Sequence, residues 1–270
     1  MHKLGRTEIR SCRQMISSNQ RVIVALDVGD RAAALRLIEQ LSGLIRVFKV
    51  GNQLFTAEGP GLVQEIVAAG VDVFLDLKFH DIPNTVAGAV SSACRLGVAI
   101  TNVHASGGVE MMRAAAAAAG SSEATPRVVG FGRRGADRKA VGMEERLRPA
   151  VIGVTVLTSM DQGSLVQVGV PLDPVSQAVK LARLARGAGL DGVVASPQEI
   201  APIRETINDP DFIIVTPGVR PAGSAAGDQK RVGSPAQAIR DGADYIVVGR
   251  PITASPDPRG STERILEEIQ

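Results

Sequence analysis

A chain of 270 residues, 44% of them hydrophobic, has room for one large α/β domain with a sizeable core. Thirty basic against twenty-eight acidic residues leave a formal net charge of +2, and the absence of Trp with a single Tyr removes the stacking platforms of single-strand binders, so no nucleic-acid partner is expected. No apolar run reaches the ~20 residues of a membrane-spanning helix, which argues against a membrane partner, and the two cysteines, Cys12 and Cys94, read as free thiols of a reducing cytoplasm.

Residues 1–20 are basic and lack the apolar centre of a secretory signal, so they read as a flexible extension, with the folded domain running from 21 to 270. From Arg21 onward one unit recurs: an apolar strand-like run, a polar turn, then a helical pattern closed by glycine. The strand-like runs are 21–27, 46–51, 71–79, 99–105, 150–158, 191–196, 212–218 and 244–249, eight in all. Helical patterns such as "RAAALRLIEQLSGL", "TVAGAVSSACRLG" and "PVSQAVKLARLARGAG" lie between them. In "AAGVDV", "RLGVAI", "GAGLDG" and "RDGADY" a glycine ends the helix just before the next strand, where a left-handed residue is needed that a Cβ would disfavour. Near-continuous apolar strands alternating with helices imply a parallel sheet covered on its outer side, and eight such units predict a closed single-domain (β/α)8 TIM barrel. An open doubly wound sheet is the alternative, but no G-x-G-x-x-G follows the first strand. Two stretches break the rhythm: 121–149, rich in Arg and Gly, reads as a surface insertion, and 217–233, rich in Gly, Pro, Ser and Ala, as a mobile loop.

In such a barrel, chemistry belongs where the strands end at their carboxyl side. Asp27 closes the first run, Lys49 lies near the end of the second, Asp76 and Lys78 near the end of the third, and Arg250 directly follows the eighth. Alternation along a strand puts Asp76 and Lys78 on one face and Leu75, Leu77 and Phe79 on the other. Asp81 lies beyond the strand, where Pro83 begins the next helix, so it is free to leave its own barrel mouth. A structural salt-bridge network is the alternative to chemistry, but buried ion pairs are doubtful stabilisers and four charges at neighbouring strand ends exceed what stability asks for. Across the mouth, "TPGVRPAGSAAGDQKR" supplies Arg220 and Gln229, and "VVGRP" supplies Gly249 and Arg250. Loops after strands seven and eight are the usual phosphate site of such barrels, with glycine admitting backbone N–H groups and Arg gripping oxygens in pairs. Thr158 adds a hydroxyl that could face the same pocket. His80 and His104 receive no role.

Taken together, "VALD", "FKVG", "DLKFHDIPNT", "VTVLTSM", "TPGVRPAGSAAGDQKRV" and "ADYIVVGRPIT" resemble the orotidine 5′-phosphate decarboxylase family, in its compact bacterial form, from about residue 21 to 253. The resemblance implies decarboxylation of orotidine 5′-monophosphate to uridine 5′-monophosphate (UMP), the last step of de novo pyrimidine synthesis, with neither cofactor nor metal. It further implies that Lys49, Asp76, Lys78 and Asp81 form an alternating charged array, with Asp81 reaching the other site of a homodimer. Lys78 would protonate C6 of the pyrimidine. Asp27 and Lys49 would hold ribose hydroxyls, Thr158 would support the pyrimidine, and Arg220, Gln229, Gly249 and Arg250 would bind phosphate. Ile82 and Thr85 complete the binding segment. A magnesium-dependent sugar-phosphate decarboxylase or aldolase of the same superfamily shares D-x-K-x-x-D but not the "HDIPNT" continuation. A Schiff-base aldolase using Lys78 and a non-catalytic phosphate binder are the remaining rivals.

Overall fold

The computed structural model describes residues 18–121, 148–221 and 231–270. Eight parallel strands close into a barrel in chain order: β1 (Val22–Ala25), β2 (Val47–Gly51), β3 (Asp72–Phe79), β4 (Ile100–His104), β5 (Ala150–Val154), β6 (Gly192–Val194), β7 (Ile213–Thr216) and β8 (Tyr245–Val248). The ring shuts where β1 pairs with β8, Val22 opposite Ile246 and Val24 opposite Val248. The predicted TIM barrel is therefore the observed architecture. Residues 1–17, most of the segment read as an insertion (122–147) and the centre of the predicted mobile loop (222–230, which includes Gln229) lie outside the described residues.

Local chemistry sets the element ends. Asp30, Asp161, Asp173 and Asp257 each cap a helix by accepting backbone N–H bonds with their carboxylates. The glycines singled out at helix ends, Gly70, Gly97, Gly189 and Gly242, all have positive φ, between 77° and 112°. Every strand is shorter than its apolar run, and three predicted placements change. Arg21 ends a short helix, Ser18–Arg21, instead of opening β1. Asp27 lies two residues past the end of β1, not within it. Thr158 sits in a turn beyond β5, because the buried Val156 and the apolar Leu157 continue the hydrophobic run after the ladder has stopped.

Strand alternation divides the core into two layers. Val22, Val24, Phe48, Val50, Val73 and Leu75 point outward into the helix layer, whereas Ile23, Ala25, Val47, Phe74, Ile100 and Val247 fill the barrel interior. Packing between β6 and β7 is tight enough that a Cβ on Gly192 would lie 2.2 Å from the Ile213 carbonyl oxygen. The amino-terminal end of the barrel is tied by three ion pairs. Arg46 bonds Asp72 at 2.7 Å, Arg148 grips Asp191 with two bonds of 2.7 Å, and Arg204 bonds Asp244. Asp191 and Asp244 also accept the backbone N–H of Val151 and Ile214, both at 2.8 Å, so each carboxylate links a side chain to a neighbouring strand.

Candidate active site

The carboxyl end of β3 is irregular. Pairing with β4 runs from Leu75 opposite Thr101 to Phe79 opposite Val103, so β3 advances from 75 to 79 while β4 advances only from 101 to 103. The surplus is taken up by a bulge in which Lys78 adopts φ 54°, a left-handed conformation that costs a residue with a Cβ about 1–2 kcal/mol. Leu77 and Phe79 still pack outward against the helix layer, as alternation predicts, but Lys78 reaches the mouth through this distortion and not through an ideal strand.

Its ammonium lies 2.6 Å from Asp76 Oδ1. The other oxygen of that carboxylate, Oδ2, is 3.3 Å from Lys49 Nζ, which in turn is 3.0 Å from Asp27 Oδ1. Four charges of alternating sign thus run across the ends of β1, β2 and β3. The Asp76 and Lys49 side chains are only 12% and 11% exposed, so water screens the chain's centre weakly. Burial pushes the Asp76 carboxyl up, but Lys49 and Lys78 and the hydrogen bonds from Lys78 and Asn102 outweigh it and hold the group below its ordinary range. Burial likewise pulls Lys49 down, and Asp76 and Asp27 overcome it, leaving the ammonium harder to deprotonate than usual. Both groups are ionised at neutral pH.

The same cavity, about 460 Å³, is lined by Asp27, Lys49, Asp76 and Lys78 from the ends of β1 to β3 and by Thr158, Arg220, Gly249 and Arg250 from beyond β5, β7 and β8. Arg220 is set by a closed loop base: its N–H donates to Gly233 O at 2.9 Å, and Gly233 N–H donates to Gly218 O at 3.2 Å. The described residues of both predicted constellations, apart from Asp81, therefore meet in one pocket. Asp81, Ile82 and Thr85 do not join it. Asp81 accepts the Ile82 N–H at 2.6 Å, Ile82 is 66% exposed, and Thr85 is exposed on the first turn of the helix Pro83–Arg95. Among the described residues no group of three or more His, Cys, Asp or Glu could hold a metal ion.

A family model described as orotidine 5′-phosphate decarboxylase / HUMPS matches residues 20–265. The chain belongs to that family. It is 50% identical to the orotidine 5′-phosphate decarboxylase of Moorella thermoacetica over 94% of this chain and 93% of that protein. Against the enzyme of the same name from Geobacter sulfurreducens the figure is 51%, over 93% of this chain and 97% of that one. The crystal structure of orotidine 5′-phosphate decarboxylase from Lactobacillus acidophilus superposes with a TM-score of 0.75 at 33% identity, covering 93% of this chain and 99% of that one.

Within this decarboxylase-family barrel, several residues that line the pocket or bond its lining residues escaped the reading of the sequence. Asn102 on β4, fully buried, donates to Asp76 Oδ1 at 2.7 Å. Arg231 is buried at the end of the loop after β7. It bonds Ser196 Oγ at 3.1 Å and the carbonyls of Val156 and Leu157 at 3.1 and 2.8 Å, and pairs with the buried Glu199. Gln53 lines the cavity from the helix that follows β2. A single uncharged Asn inside "AITNVHA" carries no signal that separates it from an ordinary strand residue, and Arg231 sits in a polar stretch that reads as solvent loop. His80 and His104, assigned no role, lie with ring centroids 5.5 Å apart, and burial, then His80 and Lys78, lower the His104 pKa.

Proposed function

We propose that the chain decarboxylates orotidine 5′-monophosphate to UMP, as its named relatives do, and so catalyses the last step of de novo pyrimidine synthesis in the cytoplasm. The observation that carries this reading is the position of Asp76, held ionised between the ammonium groups of Lys49 and Lys78 in a pocket also lined by Arg220 and Arg250.

Cleavage of the bond between C6 and the carboxylate releases CO₂ and leaves an electron pair in the ring plane, where the π system cannot delocalise it. A fixed cation beside C6 must then supply the stabilisation. Lys78 is that cation, and its Nζ donates the proton that forms the C6–H bond, after which the amine regains a proton from solvent. Asp76, set against the departing carboxylate, orients Lys78 and disfavours the charged ground state. Asp27 and Lys49 take the ribose hydroxyls, and Thr158 supports the pyrimidine. Arg220, Gln229, Gly249 and Arg250 hold the phosphate, whose binding energy positions a base several bonds away. Neither metal nor cofactor enters this scheme. Asp81, Ile82 and Thr85, turned outward on an exposed turn, complete the array of a second copy in a homodimer.

Incubation with orotidine 5′-monophosphate tests the proposal directly: its ultraviolet absorbance should fall as UMP accumulates, at a rate unchanged by EDTA. No spectral change under saturating substrate would refute the reaction, and loss of turnover in EDTA would favour the magnesium-dependent rival. Mixing Lys78→Ala with Asp81→Asn protein should restore activity that neither has alone, and a mixture as inactive as its parts would refute the shared site.

A further inference from the structure

The bulge in β3 leaves a backbone donor where the β3–β4 ladder cannot meet it. Asn102, opposite the bulge and 0% exposed, fills that gap. Its Oδ1 accepts the Lys78 N–H at 2.8 Å, while its Nδ2 donates to Asp76 Oδ1 at 2.7 Å. The amide orientation is unambiguous, since a backbone N–H can only donate and an ionised carboxylate can only accept. One planar group thus holds the backbone of the lysine and the carboxylate that the same lysine contacts.

We infer that Asn102 is a positioning residue for the decarboxylation proposed above: it locks the left-handed backbone of Lys78 and the rotamer of Asp76, so that the ammonium is aimed before substrate arrives. Few side chains meet both demands. Leucine or alanine leaves the Lys78 N–H without its acceptor, and glutamine is one methylene too long to hold both bonds. Aspartate keeps the acceptor but, when ionised, sets a second negative charge against Asp76. A protonated aspartate would accept and donate as the amide does. The charged and titratable groups around the position are Asp76 and Lys78 from β3, Lys49 from β2, and the His104–His80 pair, while β5 offers the apolar Ile152 opposite Asn102.

The test compares wild type, Asn102→Ala and Asn102→Asp with orotidine 5′-monophosphate across pH 5 to 9, with far-UV circular dichroism as the check on folding. Misplacement of a reacting group by about 1 Å costs on the order of 100-fold, so kcat of Asn102→Ala should fall by about that factor with KM within about threefold. Asn102→Asp should be impaired at alkaline pH and recover relative to wild type as pH falls, because the introduced carboxyl then carries a proton. A purely structural residue would shift stability without this pH signature. Folded Asn102→Ala with unchanged kcat, a loss confined to KM, or an Asn102→Asp profile parallel to wild type would each overturn the inference. Wild-type protein without turnover would instead refute the reaction on which it rests.

Discussion

Replacing Lys78 by alanine and, separately, by glycine separates catalytic need from backbone cost at one position. Both variants delete the ammonium 2.6 Å from Asp76, but Asp76 keeps Lys49 at 3.3 Å and Asn102 at 2.7 Å, so no buried charge is stranded and the barrel should survive. Losing a general acid costs roughly 10²–10⁴-fold. Losing preset charge stabilisation costs a further 10²–10³-fold or so. Turnover should therefore drop by roughly 10⁴-fold or more in both variants. Stability should go the other way between them. At φ 54° a Cβ costs about 1–2 kcal/mol, and the extra freedom of glycine in the unfolded chain returns about 0.4–1 kcal/mol, leaving Lys78→Gly about 0.5–1 kcal/mol more stable than Lys78→Ala. For a chain of this size that is a rise of about 1–4 °C in Tm by calorimetry. Turnover above a thousandth of wild type in either variant would refute the role of Lys78, and a glycine variant melting below the alanine variant would refute the strain.

Three further outcomes follow from the geometry. Asp244→Ala removes the partner of Arg204 and the acceptor of the Ile214 N–H at the buried base, so it should lose about 3–5 kcal/mol by urea titration while the folded fraction keeps its kcat. Arg250→Ala should lower kcat/KM by about 10- to 100-fold, the value of about 1.5–3 kcal/mol for charged hydrogen bonds to phosphate, and unchanged kinetics would remove it from the phosphate site. With pH, the lowered pKa of His104 gives a stability contribution present above its ordinary 6.5 and lost as pH falls through the folded value. Asp76, also lowered, adds a second loss below its ordinary 3.8, whereas Lys49, raised above 10.5, contributes until pH climbs through its folded value. Asp76→Asn should flatten the acid limb of a stability profile below pH 3.8 and leave the region above it unaffected by titration of that group.

Those parts of the molecule that depend on period and on punctuation were legible in the sequence. Eight apolar runs gave eight strands, and the glycines after the helices took the left-handed conformations expected of them. Lys49, Asp76 and Lys78 stood out because a charge within an apolar run has few structural uses. What escaped notice depends on register. Nothing in "DLKFHD" reveals that β3 gains two residues on β4, so neither the φ of Lys78 nor the bridging task of Asn102 could be read. Strand ends were overrun at β5 because hydrophobicity tracks burial, and Val156 remains buried after the strand ends at Val154.

The arginine–aspartate ties cluster at one end of the cylinder, whereas the charged array occupies the other. The ties at the base therefore lie away from the reacting groups. An engineer seeking heat resistance could reinforce that end without blunting turnover.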